Sequence, residues 1–149
     1  MKQFFGYTQL LLLLMGFVSC QGYESSIPDS YVYLKRNIYT DNLSSPGSYL
    51  YVDKPKVATE GIGFGGILIV HSFDVDHVYY AFDLTCPVEK SQNVRIGKPD
   101  QGLFCICDSC GEKYDLSLGL GVPLNHISKE GLRRYTVRLD ENNNIIVTR

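Results

Sequence analysis

Gly61-Ile62-Gly63-Phe64-Gly65-Gly66-Ile67-Leu68-Ile69-Val70-His71 is the stretch on which the fold turns. Its second half is a near-continuous apolar run of strand length, the pattern of a buried strand. Its first half satisfies Gly-x-Gly-x-x-Gly through Gly61, Gly63 and Gly66. A dinucleotide fingerprint follows a strand and opens a helix, whereas this cluster precedes a strand, so it reads as a loop.

Short β-rich runs separated by turn chemistry surround this strand. Tyr31 to Leu34 and Asn37 to Tyr39 are candidate strands, closed by the turn cluster Asp41 to Gly47. Ser48 to Val52 is a short strand ended by Asp53-Lys54-Pro55, and Phe73 to Asp76 is a turn. His77 to Phe82, Asn93 to Gly97, Gly102 to Ile106 and Lys113 to Leu116 follow as extended segments. The C-terminus reads as a hairpin, Arg133 to Leu139 against Ile145 to Thr148, with Tyr135, Val137 and Leu139 alternating with polar residues. Pro and Gly break every window long enough for an amphipathic helix. The expected fold class is all-β, a small barrel or sandwich.

Composition agrees and narrows the function. The chain has 149 residues, enough for one domain with accessory segments. Fourteen Lys and Arg against 16 Asp and Glu give a net charge of −2. No basic run of the kind that grips a phosphate backbone is present, so a nucleic-acid partner is not expected. Eleven Tyr, seven Phe and 14 Gly favour strands and turns. Disorder and a multi-span membrane protein are excluded.

The first twenty residues bear on location. Lys2 is followed by Phe4, Phe5 and Tyr7, the run Leu10 to Leu14, and Met15 to Cys20. A cationic start, about ten apolar residues and a small residue before the cut site describe a secretory signal. The run is too short for a span of about 20 residues. Phe17-Val18-Ser19-Cys20 resembles the bacterial lipobox, with Phe17 where that pattern has Leu, which makes Cys20 the lipidation site. The expected organisation is a leader over residues 1–19, a lipidated cysteine and tether over 20–28, and a β domain over 29–149. The membrane is then a partner through the anchor.

Four further cysteines remain: Cys86, and Cys105, Cys107 and Cys110 in Cys105-Ile106-Cys107-Asp108-Ser109-Cys110-Gly111. Thiolates are soft ligands that suit zinc or iron–sulfur iron, and Cys-x-x-Cys presents two sulfurs to one centre. Cys105 and Cys107 lie two apart and share one side of an extended segment, so Cys105 joins as a ligand only if the chain bends after it.

Phe82-Asp83-Leu84-Thr85-Cys86-Pro87, with Cys107-Asp108-Ser109-Cys110-Gly111-Glu112-Lys113-Tyr114-Asp115, resembles a Rieske-type domain. The likeness covers about residues 60–149 and extends to Gly119-Leu120-Gly121-Val122-Pro123 and Leu132 to Val137. It is similar in particular to small exported Rieske-like lipoproteins of Bacteroides-type bacteria. The resemblance implies three stacked antiparallel sheets and electron transfer through a [2Fe–2S] cluster held by a Cys-x-His and a Cys-x-x-His loop. Cys86 and Cys107 match the two family cysteines. Val88 stands at the first histidine and Cys110 at the second. Valine donates no lone pair, and thiolate in place of imidazole adds negative charge that lowers a reduction potential.

Four readings stay open at this level. They are a [2Fe–2S] cluster with altered ligands (Cys86, Cys107, Cys110 and, where the chain bends after it, Cys105), a zinc site on the same cysteines, a disulfide from Cys86 to Cys107 or Cys110, and free thiols in a binding or structural module. His71, His77 and His126 lie outside both loops and read as surface or core-edge residues. Asp83, Glu89 and Asp115 flank the cysteines without a spacing that certifies acid and base, so no catalytic residue is assigned. Gly111 followed by a strand argues against the helix-opening Cys-x-x-Cys of disulfide oxidoreductases. Asn42-Leu43-Ser44 reads as a turn, and Lys129, Arg133 and Arg134 as a solvated strand edge.

Overall fold

The computed structural model describes residues 25–149 apart from His77. The expected leader, Cys20 and the start of the tether lie outside the described residues. Ten strands form: β1 (Val32–Asn37), β2 (Tyr49–Val52), β3 (Gly61–Ile62), β4 (Ile67–His71), β5 (Tyr79–Asp83), β6 (Phe104–Ile106), β7 (Lys113–Asp115), β8 (Val122–Pro123), β9 (Arg134–Leu139) and β10 (Asn144–Thr148). No helix forms among the described residues. Every pairing is antiparallel, in a seven-stranded sheet of order β2-β4-β5-β9-β10-β1-β3 and a three-stranded sheet of order β6-β7-β8.

β4 is buried along its whole length because it has a core on each face. Ile67 and Ile69 meet Val32, Leu34, Val52, Ala81, Ile145 and Val147, which the large sheet gathers by curling on itself. Leu68 and Val70 face the other way, onto Phe82, Leu84, Ile96, Tyr114 and Leu116, where the small sheet packs. Successive strand residues point to opposite faces, so an unbroken apolar run is what such a middle layer requires. The result is all-β, a nearly closed sheet with a second small sheet stacked against it.

Several local expectations are corrected. Asn37 ends β1, and no second strand runs to Tyr39. The Asn37 side-chain Oδ1 accepts the N–H groups of Tyr39 and Thr40 and turns the chain. Asn93 to Gly97 forms only two isolated bridges, Thr85 to Arg95 and Ile96 to Cys107. β9 lies between β5 and β10, so Arg134 is on an interior strand. The Arg133 guanidinium donates to the Ile27 carbonyl at 2.6 Å and to Asp29, which also pairs with Arg149.

The glycine loop does grip an anion, one that the chain supplies. Phe64 N–H donates to Asp83 Oδ2 at 2.8 Å and Gly65 N–H to Oδ1 at 3.1 Å. Thr85 N–H reaches Oδ1 at 2.7 Å, and the Tyr135 hydroxyl donates to Oδ2 at 2.5 Å. A Cβ on Gly65 would lie 2.2 Å from Thr85 Oγ1, and one on Gly63, where φ is +76°, would lie 2.7 Å from Asp83 Oδ2. Side chains at either position would push the loop off the carboxylate.

A second buried charge sits under β1, where Arg36 pairs with Glu60 and both are nearly inaccessible. The Arg36 hydrogen bond holds the Glu60 carboxyl below its ordinary value despite burial, helped by Lys56 N–H. A depressed carboxylate pKa stabilises the fold above the unfolded value of about 4.3 and loses that contribution as pH falls through the lowered folded value. Glu60→Gln is expected to cost about 3–5 kcal/mol at neutral pH by leaving Arg36 buried and unpaired. It should also flatten the acid limb of stability below about pH 4.3. Urea unfolding of both chains across pH 3–7 checks both effects.

Candidate metal centre

Each cysteine loop grows from a strand end. β5 runs through Leu84 and Thr85 to Cys86, and the loop closes where Lys90 N–H donates to the Cys86 carbonyl at 2.9 Å. β6 runs directly into Cys107, and Gly111 N–H donates to the Cys107 carbonyl at 2.8 Å. The segment from Val94 to Gly97 stitches the loops together. Cys86 N–H donates to the Val94 carbonyl at 3.1 Å, Ile96 N–H to the Leu84 carbonyl at 2.8 Å, and Gly97 N–H to the Ile106 carbonyl at 2.7 Å.

This stitching brings three of the expected residues together. The Sγ atoms of Cys86, Cys107 and Cys110 all lie within 4.8 Å of one another. Cys86 and Cys110 are 3.6 Å apart. Cys86 and Cys107 are buried and Cys110 is half-buried, so the site opens on one side. The Tyr114 hydroxyl sits 3.8 Å from Cys86 Sγ, and burial raises its pKa, which keeps it a neutral donor. Burial also pushes the Cys107 thiol up.

Cys105 is not part of this trio. Its side chain belongs to the apolar core between the sheets, in register with Tyr114 across β6 and β7. Burial, with Cys107 and Cys86 nearby, pushes its thiol up to about 12. His71 lies at the edge of the other core, with Nδ1 against the Leu43 carbonyl at 2.7 Å, and His126 is exposed. His77 lies outside the described residues. Asp115 caps its own turn through Ser117 N–H and Oγ.

Glu112, absent from the sequence reading as a site residue, holds the far wall. It is fully buried and accepts N–H groups from Lys113 at 3.0 Å, Asn125 at 2.8 Å and Ser128 at 2.7 Å. Burial alone would raise its carboxyl pKa. The N–H bonds of Ser128, Asn125, Ile127 and Lys113 outweigh burial and lower it. Asn125 Nδ2 donates to the Gly111 carbonyl at 2.9 Å, which ties the second cysteine loop to this anchor. Two of its partners lie 13 and 16 residues away, so local spacing carries no signal for them.

The donor set discriminates between metal groups. Thiolates sharing one tetrahedral ion with metal–sulfur bonds of 2.3 Å lie about 3.8 Å apart. Ligands on the two irons of a [2Fe–2S] cluster point away from each other and lie farther apart. Three sulfurs within 4.8 Å therefore crowd onto one centre, and half-buried Val88 supplies no donor for a second iron. The three clustered thiols fit a metal or iron–sulfur site, and among the described residues they leave a [2Fe–2S] cluster one protein donor short of four. They fit a single thiophilic ion with three sulfurs and one further position.

The sequence matches no family model and no curated protein. Solved structures of similar shape include a chain of the complex of reduced oxygenase and oxidized ferredoxin in carbazole 1,9a-dioxygenase. It has 17% identity and a TM-score of 0.45, covering 79% of this chain and 94% of that one. A protein assigned as the small subunit of an NADPH nitrite reductase has 16% identity and a TM-score of 0.43, covering 79% and 99%. One assigned as an NADH-dependent nitrite reductase small subunit from Mycobacterium tuberculosis has 17% identity and a TM-score of 0.43, covering 80% and 96%.

The placement of the four thiols separates their roles. Cys105→Ala is expected to lower stability by about 1–3 kcal/mol, as loss of a core side chain does, while zinc affinity stays unchanged. Cys107→Ser should weaken zinc by more than about tenfold. Competition with a chromophoric chelator, beside thermal unfolding of each apo chain, measures both.

Proposed function

We propose that this chain is an exported, lipid-anchored β domain that holds one thiophilic metal ion between two cysteine loops. The observation carrying the reading is the convergence of Cys86, Cys107 and Cys110 on one centre from loops that a third segment stitches together. Soft thiolates in a tetrahedral set suit zinc, which makes the loaded domain a rigid, non-redox binding or structural module. Export and anchoring rest on the apolar leader and on Phe17-Val18-Ser19-Cys20. No helix among the described residues is long and apolar enough to cross a membrane. The bacterial envelope is the location this reading assigns, with the membrane as partner through Cys20.

A second reading has its own observation. The neutral Tyr114 hydroxyl lies 3.8 Å from a ligand sulfur, and hydrogen bonds to such sulfurs tune the potential of a redox iron. Iron at this centre would supply one-electron chemistry, in keeping with the electron-transfer role that the Rieske resemblance implies. Cys86, Cys107 and Cys110 would hold it, and Tyr114 would adjust it.

Metal and acid-labile sulfide content of the full chain, purified from bacterial membranes, tests the centre. The expected result is about one zinc per chain and no labile sulfide. One iron without sulfide would give the second reading. About two irons with two sulfides, or no metal with a Cys86–Cys110 disulfide, would overturn the single-ion site. In the same preparation Cys20→Ser should move the chain from the membrane to the soluble fraction, and retention there would overturn the anchor.

A further inference from the structure

The two cysteine loops are one turn built twice. In the second, Cys107 is followed by turn residues Asp108, Ser109 and Cys110, and the turn closes from Gly111 N–H to the Cys107 carbonyl at 2.8 Å. In the first, Cys86 is followed by turn residues Pro87, Val88 and Glu89, and Lys90 N–H closes to the Cys86 carbonyl at 2.9 Å. The closing residue is left-handed in both, Gly111 at φ 77° and Lys90 at φ 53°. Glycine adopts that conformation freely and lysine rarely does, so the first turn is held against local preference, as functional loops often are.

Superposing the turns by position pairs Cys86 with Cys107 and Glu89 with Cys110. The first turn therefore carries a hard oxygen donor where the second carries its outer thiol. Val88, at the family's histidine position, matches Ser109, a non-ligand. The Glu89 carboxylate already leans across to the opposite loop, where the Ser109 hydroxyl donates to Oε1 at 2.9 Å. Ser109 is the neighbour of Cys110, so this bond ties the carboxylate to the loop that carries the outer thiol. Its oxygens lie outside the 4.8 Å set of the three sulfurs. Glu89 is exposed, so rotation about its side-chain bonds is sterically free.

We propose that Glu89 is the fourth ligand, completing a three-sulfur, one-oxygen tetrahedral site. The assignment rests on the single-ion reading and deepens it. Carboxylate oxygens bind zinc at about 2.0–2.2 Å, within the range of ligands that thiolate sites accept. Binding exchanges the Ser109 hydrogen bond for the metal bond and closes the half-exposed side of the centre.

Cobalt(II) titration of the full chain tests this, because the colour of cobalt reports both ligand number and sulfur count. The wild-type chain is expected to give the intense visible bands of a tetrahedral ion with thiolate charge transfer. Glu89→Gln should weaken cobalt binding by at least about tenfold and shift the visible bands. Glu89→Cys should increase thiolate charge transfer by roughly one third, as a fourth sulfur joins the three. Apo melting temperatures of the variants should match the wild type, which separates ligation from folding. Unchanged affinity and bands in both variants would overturn the assignment and leave the fourth position to water. Absence of any cobalt spectrum in the wild type would overturn the single-ion reading and this assignment with it.

Discussion

A buried carboxylate organises the rest of this structure. Asp83 has no exposed surface, and an unpaired charge there would cost several kcal/mol. Two N–H groups of the glycine loop, the Thr85 N–H and the Tyr135 hydroxyl satisfy it. Burial, reinforced by the neighbouring Asp83 charge, raises the Tyr135 pKa and keeps that hydroxyl a donor. These four bonds join the loop before β4, the end of β5 and the interior strand β9 at one point. That point is three residues before Cys86. The first cysteine loop thus starts from a fixed origin, and the same donors that could have cradled a phosphate are occupied by the chain itself.

The second cysteine loop is fixed by an analogous device. Glu112 collects backbone N–H groups from its own neighbour and from the segment after β8, and Asn125 returns a bond to Gly111. Between the two anchors, Val94 to Gly97 bonds to both loops. Each carboxylate is an internal acceptor for backbone groups that irregular loops would otherwise leave unpaired, the condition every buried loop must meet. Among the described residues, irregular chain is thereby held in place without a helix. The thiols inherit that rigidity, which lowers the ordering cost of binding a metal.

Much of this was legible in the sequence, for reasons that can be named. The run from Ile67 to Val70 marked the central layer because only a strand with a core on each side has no polar alternation. The alternation of Tyr135 with its polar neighbours marked β9, although Leu139 at its end is exposed. Convergence of Cys86 with Cys107 and Cys110 followed from Cys-x-x-Cys spacing and the loop resemblance. Contacts made across long separations were not legible. In sequence Asp83 is a carboxylate flanking Cys86, and its partners Phe64 and Tyr135 lie 19 and 52 residues away. Asn93 to Gly97 carries strand chemistry and becomes a stitch, because it meets the chain before Cys86 and the end of β6 through isolated bridges rather than a ladder. Cys105 shares a side with Cys107 as alternation requires, and the core claims it because Tyr114 and Leu116 pack there.

X-ray absorption at the metal edge of the loaded chain tests directly whether three sulfurs meet at one ion. The prediction is a first shell of about three sulfurs near 2.3 Å with a lighter atom near 2.0–2.2 Å, and no metal–metal vector. A metal–metal vector, with bridging sulfide in the first shell, would show a two-iron cluster on these loops and contradict the account.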